Sequence, residues 1–87
     1  MTASEPSEAE IEQAILAAVS RRAPGRTICP SEPARALSAD WRPLMPRIRA
    51  VAARLGREGR LEATRRGAPV DPEAPGGPIR LAAPQER

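Results

Sequence analysis

Three observations in the sequence predict an α+β fold, a winged helix-turn-helix of three helices plus a small β-hairpin wing. Residues 44–59 place apolar side chains at helical spacing beneath a row of arginines. Two helical patterns precede that stretch, and the nearer joins it by a tight turn, which is the helix-turn-helix order. After Gly59 the apolar period changes from 3.6 to 2, and short alternating runs are separated by Pro and Gly.

With 87 residues the chain makes one small domain with a modest core. The expected layout is a flexible leader at 1–6, the winged-helix domain at 7–82 and a flexible tail at 83–87. Hydrophobic residues make up 40%, but Phe and Tyr are absent and Trp41 is the single tryptophan. An aliphatic, alanine-rich core follows, with Trp41 expected as its one large aromatic anchor between helices. No run of uncharged apolar residues is long enough to span a bilayer. The N-terminus shows no basic start or apolar run, so a secretory signal is not read and a cytoplasmic protein is expected. One cysteine excludes an intramolecular disulfide, and the absence of histidine leaves no ordinary zinc site; neither metal nor cofactor is expected.

All basic residues are arginine, a choice that biased base composition accounts for. Their placement says more. Residues 1–13 hold four acids and no base, whereas residues 14–80 hold thirteen arginines against six acids. The total of +3 therefore hides a strongly basic globular part.

Taken in order, Ser7 and Glu10 form the S-x-x-E capping box that opens a helix. Ile11, Ala14, Ile15, Ala18 and Val19 supply its stripe, so a first helix over 8–22 is predicted, with Arg21 and Arg22 in the last turn and Pro24-Gly25 as the stop. Arg26–Cys29 is short and β-branched and reads as a one-rung strand or an extended link. A second helix starts at Ser31, with Ser31 or Cys29 as cap, Pro33 in the first turn, and Ala34 and Leu37 buried. Asp40 is expected to cap an entry turn over 41–45. The third helix is predicted over 46–58. Leu44, Ile48, Val51, Ala52 and Leu55 form its buried stripe, Arg47, Ala50, Arg54 and Arg57 its far side, and Gly59 its stop. Residues 60–65 alternate and predict a strand, 66–77 predict a long Pro/Gly loop, and 78–81 predict a second strand with Ile79 and Leu81 inward.

The segments Thr27–Glu32 (TICPSE), Trp41-Arg42 with Leu44-Met45, Arg49–Ala52 (RAVA) and Gly77–Leu81 (GPIRL) together make a recognisable set. On them the chain resembles a family of small uncharacterised bacterial proteins, a domain of unknown function, from Ile11 to Leu81. The resemblance implies a compact winged-helix-like domain, sometimes joined to a cysteine-rich, zinc-ribbon-like segment that this sequence does not contain. Pro33 stands where relatives carry an aliphatic residue. No established activity comes with the resemblance.

Enzymatic chemistry is poorly supplied, and the domain is expected not to be an enzyme. Without His, Lys or Tyr, acid–base work would fall to carboxylates, and none pair at an informative spacing. Cys29 has no histidine to serve as base and is expected to be a small buried hydrophobe. Gly76-Gly77 lacks the surroundings of a phosphate-binding loop. Arg80 is expected to point outward, solvated or paired with Glu62. Two functions from different classes remain. One is binding of double-stranded DNA, with the third helix in the major groove and the 66–77 loop as wing. Arg42, Arg47, Arg54, Arg57, Arg65 and Arg66 are the expected nucleic-acid-binding residues. The other is a protein-interaction or assembly module on the same fold, meeting a protein partner through the acidic leader and the first helix.

Overall fold

The computed structural model describes residues 5–23 and 25–84. In chain order these form α1 (Glu8–Ser20), α2 (Ser31–Leu37), a 3-10 turn (Arg42–Leu44), α3 (Met45–Arg57), β1 (Glu62–Arg65), β2 (Ala68–Pro69) and β3 (Arg80–Ala82). Three helices and a small antiparallel sheet make an α+β, winged-helix-like arrangement. Parts of the expected leader (1–4), tail (85–87) and helix stop (Pro24) lie outside the described residues.

The local chemistry explains where each helix begins and ends. Ser7 caps α1 through a complete capping box: the Glu10 amide donates to Ser7 Oγ at 3.1 Å, and the Ser7 amide donates to Glu10 Oε1 at 2.8 Å. The helix ends two residues earlier than its sequence pattern suggests. Its last turn tightens, the Arg22 amide donating to the Val19 carbonyl, so Arg21 and Arg22 follow the helix instead of occupying its last turn. In α2, Ser31 is the first helical residue and makes no cap; its hydroxyl donates to Cys29 Sγ at 3.2 Å. Glu32 reaches back to accept the Cys29 amide at 3.4 Å. Pro33 sits buried within the first turn, where a missing N–H leaves no intrahelical bond unmade.

Asp40 does not cap the entry turn. Its amide donates to Ser38 Oγ at 3.1 Å, and Trp41, the residue flanking the 3-10 turn, is already in the helical region, where no side-chain cap forms. Pro46 is the second residue of α3, among the amides that have no intrahelical acceptor. The helix then stops on Gly59, whose φ of 76° favours glycine. The Gly59 amide donates to the Gly56 carbonyl and the Arg60 amide to the Leu55 carbonyl, which is a Schellman stop.

The sheet departs from a simple hairpin. Its order is β2-β1-β3, with Arg65 opposite Ala68 and Ala63 opposite Leu81. The expected long loop at 66–77 thus contains a strand. Arg66 and Gly67 both have positive φ, 55° and 82°, forming a two-residue turn whose twist matches the flanking strands. Pro69 is tolerated because β2 is an edge. On the other side β3 bridges to Ile28 through a reciprocal pair of hydrogen bonds of 2.7 and 2.9 Å, the one-rung alternative expected for that segment.

Ile11, Ile15, Ala18 and Val19 of α1, Ala34 of α2, and Leu44, Ile48, Val51, Ala52 and Leu55 around α3 meet Ile28, Leu61, Ile79 and Leu81 in one core. Burying each of the larger aliphatics fully contributes about 1.5–3 kcal/mol. Two expectations about the interior need correcting. Trp41 is half buried at the edge of this core rather than enclosed by it. Cys29 is likewise half buried, because the turn into α2 passes over it only partly.

Candidate nucleic-acid interface

Helix α3 has three longitudinal zones. The buried stripe faces α1 and the sheet. On one flank, spacing of seven places Arg47 and Arg54 together, and α1 with the segment just before it brings acids near them. Arg54 donates to Glu8 at 2.9 Å, to Glu12 at 2.6 Å and to Glu58 at 3.0 Å. Arg60 joins the same cluster through Glu12 and Glu58 at 3.0 and 3.2 Å. Arg47 lies 3.6 Å from Glu5. Hydrogen bonds from Arg54, then from Arg60, hold the Glu12 carboxyl below its ordinary range, and the Arg54 bond does the same for Glu58. In return these carboxylates, Glu12 foremost, push the Arg54 and Arg60 guanidiniums up.

The other flank is open. Arg42, Arg49 and Arg57 recur at intervals of seven and eight and are exposed, and among the described residues none has a carboxylate within ion-pair distance. Beside Arg57 a groove of about 530 Å³ runs between α3 and the wing, lined by Ala53, Gly56, Leu61, Thr64, Val70 and Pro72 among others. At the far end of the wing Arg66 is exposed at the tip of the turn.

Arg65 has a different place. Its guanidinium donates to the carbonyls of Ala74, Pro75 and Gly77 at 3.0, 3.2 and 3.0 Å, stapling the Pro-rich loop to β1. Its Nε is buried with no hydrogen-bond partner. Gly76 accommodates this staple: a Cβ there would lie 3.1 Å from Arg65 Nη1, and its φ is 128°. Arg80, expected to be solvated or paired with Glu62, donates from Nε to Thr27 Oγ1 at 2.9 Å and from Nη2 to the Thr27 carbonyl at 3.1 Å.

Of the six residues picked from the sequence, the structure leaves Arg42, Arg57 and Arg66 exposed, sets Arg54 against α1 and Arg47 near Glu5, and folds Arg65 into the wing. Arg49 and Arg35, not picked from the sequence, are exposed as well, and Arg35 and Arg42 lie over the Trp41 ring. Arg49 had a usable signal, its spacing of seven from Arg42. Arg35 had none, because only the fold brings α2 beside Trp41.

Helix-turn-helix order, a third helix with one open basic flank, and a stapled wing define a small winged-helix-like domain. The chain belongs to the family described as proteins of unknown function, DUF3253, whose model matches residues 8–84. A search of curated proteins found no match. Among the described residues, no helix is long and apolar enough to cross a membrane, and no three metal-binding side chains cluster.

Proposed function

We propose that this domain is a binding module, not an enzyme, and that it binds double-stranded DNA through the open flank of α3 with the Arg66 turn as its wing tip. One observation carries this reading. Glu8 and Glu12 of α1 pair with Arg54, and Glu5 just before α1 lies 3.6 Å from Arg47, while Arg42, Arg49 and Arg57 on the other flank have no carboxylate within ion-pair distance among the described residues. A row of unneutralised guanidiniums along a helix suits the phosphate backbone beside a major groove. The expected DNA contacts of Arg54 and Arg65 drop out of the proposal, since both guanidiniums are committed within the fold.

A labelled duplex of about 20 base pairs, titrated from about 50 to about 200 mM salt, tests it. Arg49→Ala/Arg57→Ala is expected to lower the slope of log affinity against log salt by about two, and Arg21→Ala/Arg26→Ala by much less. Equal losses in the two variants would reduce the effect to diffuse charge attraction. Absence of binding by the parent would favour the second reading, a protein-interaction module. For that module the mainly apolar groove between α3 and the wing is the supporting observation.

A further inference from the structure

Two arginines that belong to different elements meet over the ring of Trp41. Arg35 comes from the exposed side of α2 and Arg42 from the turn leading into α3. Their guanidinium carbons lie 4.7 and 4.6 Å from the centre of the indole ring. Each contact is a cation–π attraction, and each lays a flat guanidinium over the ring while leaving N–H groups at its edge free to donate. The indole itself is anchored, because its inner part packs on the core.

The arrangement gathers two like charges on one ring. Among the described residues neither has a carboxylate within ion-pair distance, although the same chain supplies acids to Arg22, Arg47, Arg54 and Arg60. Gathered on one ring and without an ion-paired carboxylate among the described residues, the two guanidiniums suit an anion with several acceptor oxygens. Phosphate fits that description better than a single carboxylate, since it can accept from both forks at once. A flat base fits poorly, because the indole is already occupied and no second aromatic exists in the chain.

We propose that Arg35, Trp41 and Arg42 form a phosphate clamp. On the duplex-binding function proposed above, on which this deepening rests, the phosphate is a backbone phosphodiester held at the entrance to α3. The clamp would then fix where the helix starts along the groove, while Arg49 and Arg57 follow it.

The molecule carries its own probe. Trp41 is the sole tryptophan and tyrosine is absent, so intrinsic emission reports this cluster alone. The experiment follows Trp41 emission and the anisotropy of a labelled duplex in parallel, adds inorganic pyrophosphate as a free anion, and uses the parent, Arg35→Ala/Arg42→Ala and Arg35→Lys/Arg42→Lys. Thermal melting by circular dichroism confirms that each variant is folded.

Both signals are expected to change with one midpoint in the parent. The alanine variant is expected to lose about ten-fold or more in affinity and about two in salt slope. The lysine variant keeps the slope but loses affinity, because it retains charge without the fork. If the duplex binds while Trp41 emission stays flat, or binds the alanine variant with unchanged affinity and slope, the clamp is overturned and the DNA function stands. If anisotropy never rises but pyrophosphate shifts Trp41 emission in the parent and not in the alanine variant, the DNA function fails and the phosphate clamp stands. No response to either probe overturns both.

Discussion

The two flanks of α3 are built from the same residue type and end in opposite states. On the α1 flank Arg54 is surrounded by Glu8, Glu12 and Glu58, and Arg60 shares two of those carboxylates. On the other flank Arg42, Arg49 and Arg57 stand exposed with no such company among the described residues. Arginine content alone therefore says little about binding capacity. What decides it is which neighbouring element packs alongside, and the acids of α1, Glu8 and Glu12, reach Arg54 on one flank.

The largest effect is expected from breaking the ridge that separates the flanks. Ile48 is fully buried between them, and Ile48→Ala should destabilise the domain by about 2–5 kcal/mol through lost contacts and the cavity left behind. Denaturant unfolding measures this, and a cost under about 1 kcal/mol would mean that α3 is seated less tightly than the structure shows.

A smaller effect sharpens the contrast between the flanks themselves. Arg54→Ala/Arg60→Ala and Arg49→Ala/Arg57→Ala remove equal charge. The first pair should lower the melting temperature and change duplex affinity little; the second should leave melting nearly unchanged and weaken duplex binding about ten-fold or more. Reversed outcomes would exchange the roles assigned to the two flanks.

The smallest expected effect concerns acid. The native Glu12 and Glu58 carboxyls are held below the ordinary value of 4.5, first by hydrogen bonds from Arg54. As pH falls through and below that value, the unfolded chain binds more protons than the native one, so stability fully present above it is progressively lost. Exposed pairs of this kind are screened, and the loss should be modest. Melting temperatures at about pH 6 and about pH 3.5 should therefore fall further apart in the parent than in Glu12→Gln. An equal drop in both would assign the acid sensitivity to other carboxylates.

Much of the scaffold was legible in the sequence because its signals are local. Ser7 and Glu10 lie within one turn, the stripe from Leu44 to Leu55 repeats at the helical period, and Gly59 terminates a helix by conformational freedom alone. Ile79 and Leu81 alternate as strand residues do, and both are buried. Other features were hidden for physical reasons. The turn at Arg66-Gly67 uses arginine in a left-handed conformation where asparagine or aspartate would have announced a hairpin, so β2 passed for loop. Glu12 stands 42 residues from Arg54, and no periodicity links residues that only tertiary packing brings together. Trp41 looked like a core residue by size and rarity. Its place at the edge is set by α2, which offers it an arginine instead of a lid.

The single rung between Ile28 and Leu81 also bears on how the chain reaches this state. The rung and the Arg80–Thr27 contacts join segments 53 residues apart, with α2, α3, β1 and β2 between them. Closing so long a flexible loop costs about 3.5 kcal/mol in chain entropy, which the four hydrogen bonds, at about 0.5–1.5 kcal/mol each, roughly balance. Those bonds alone therefore leave the closure near balance. The surplus that holds β3 in place comes from the apolar burial of Ile28, Ile79 and Leu81 and from the intervening helices, which shorten the path to be closed.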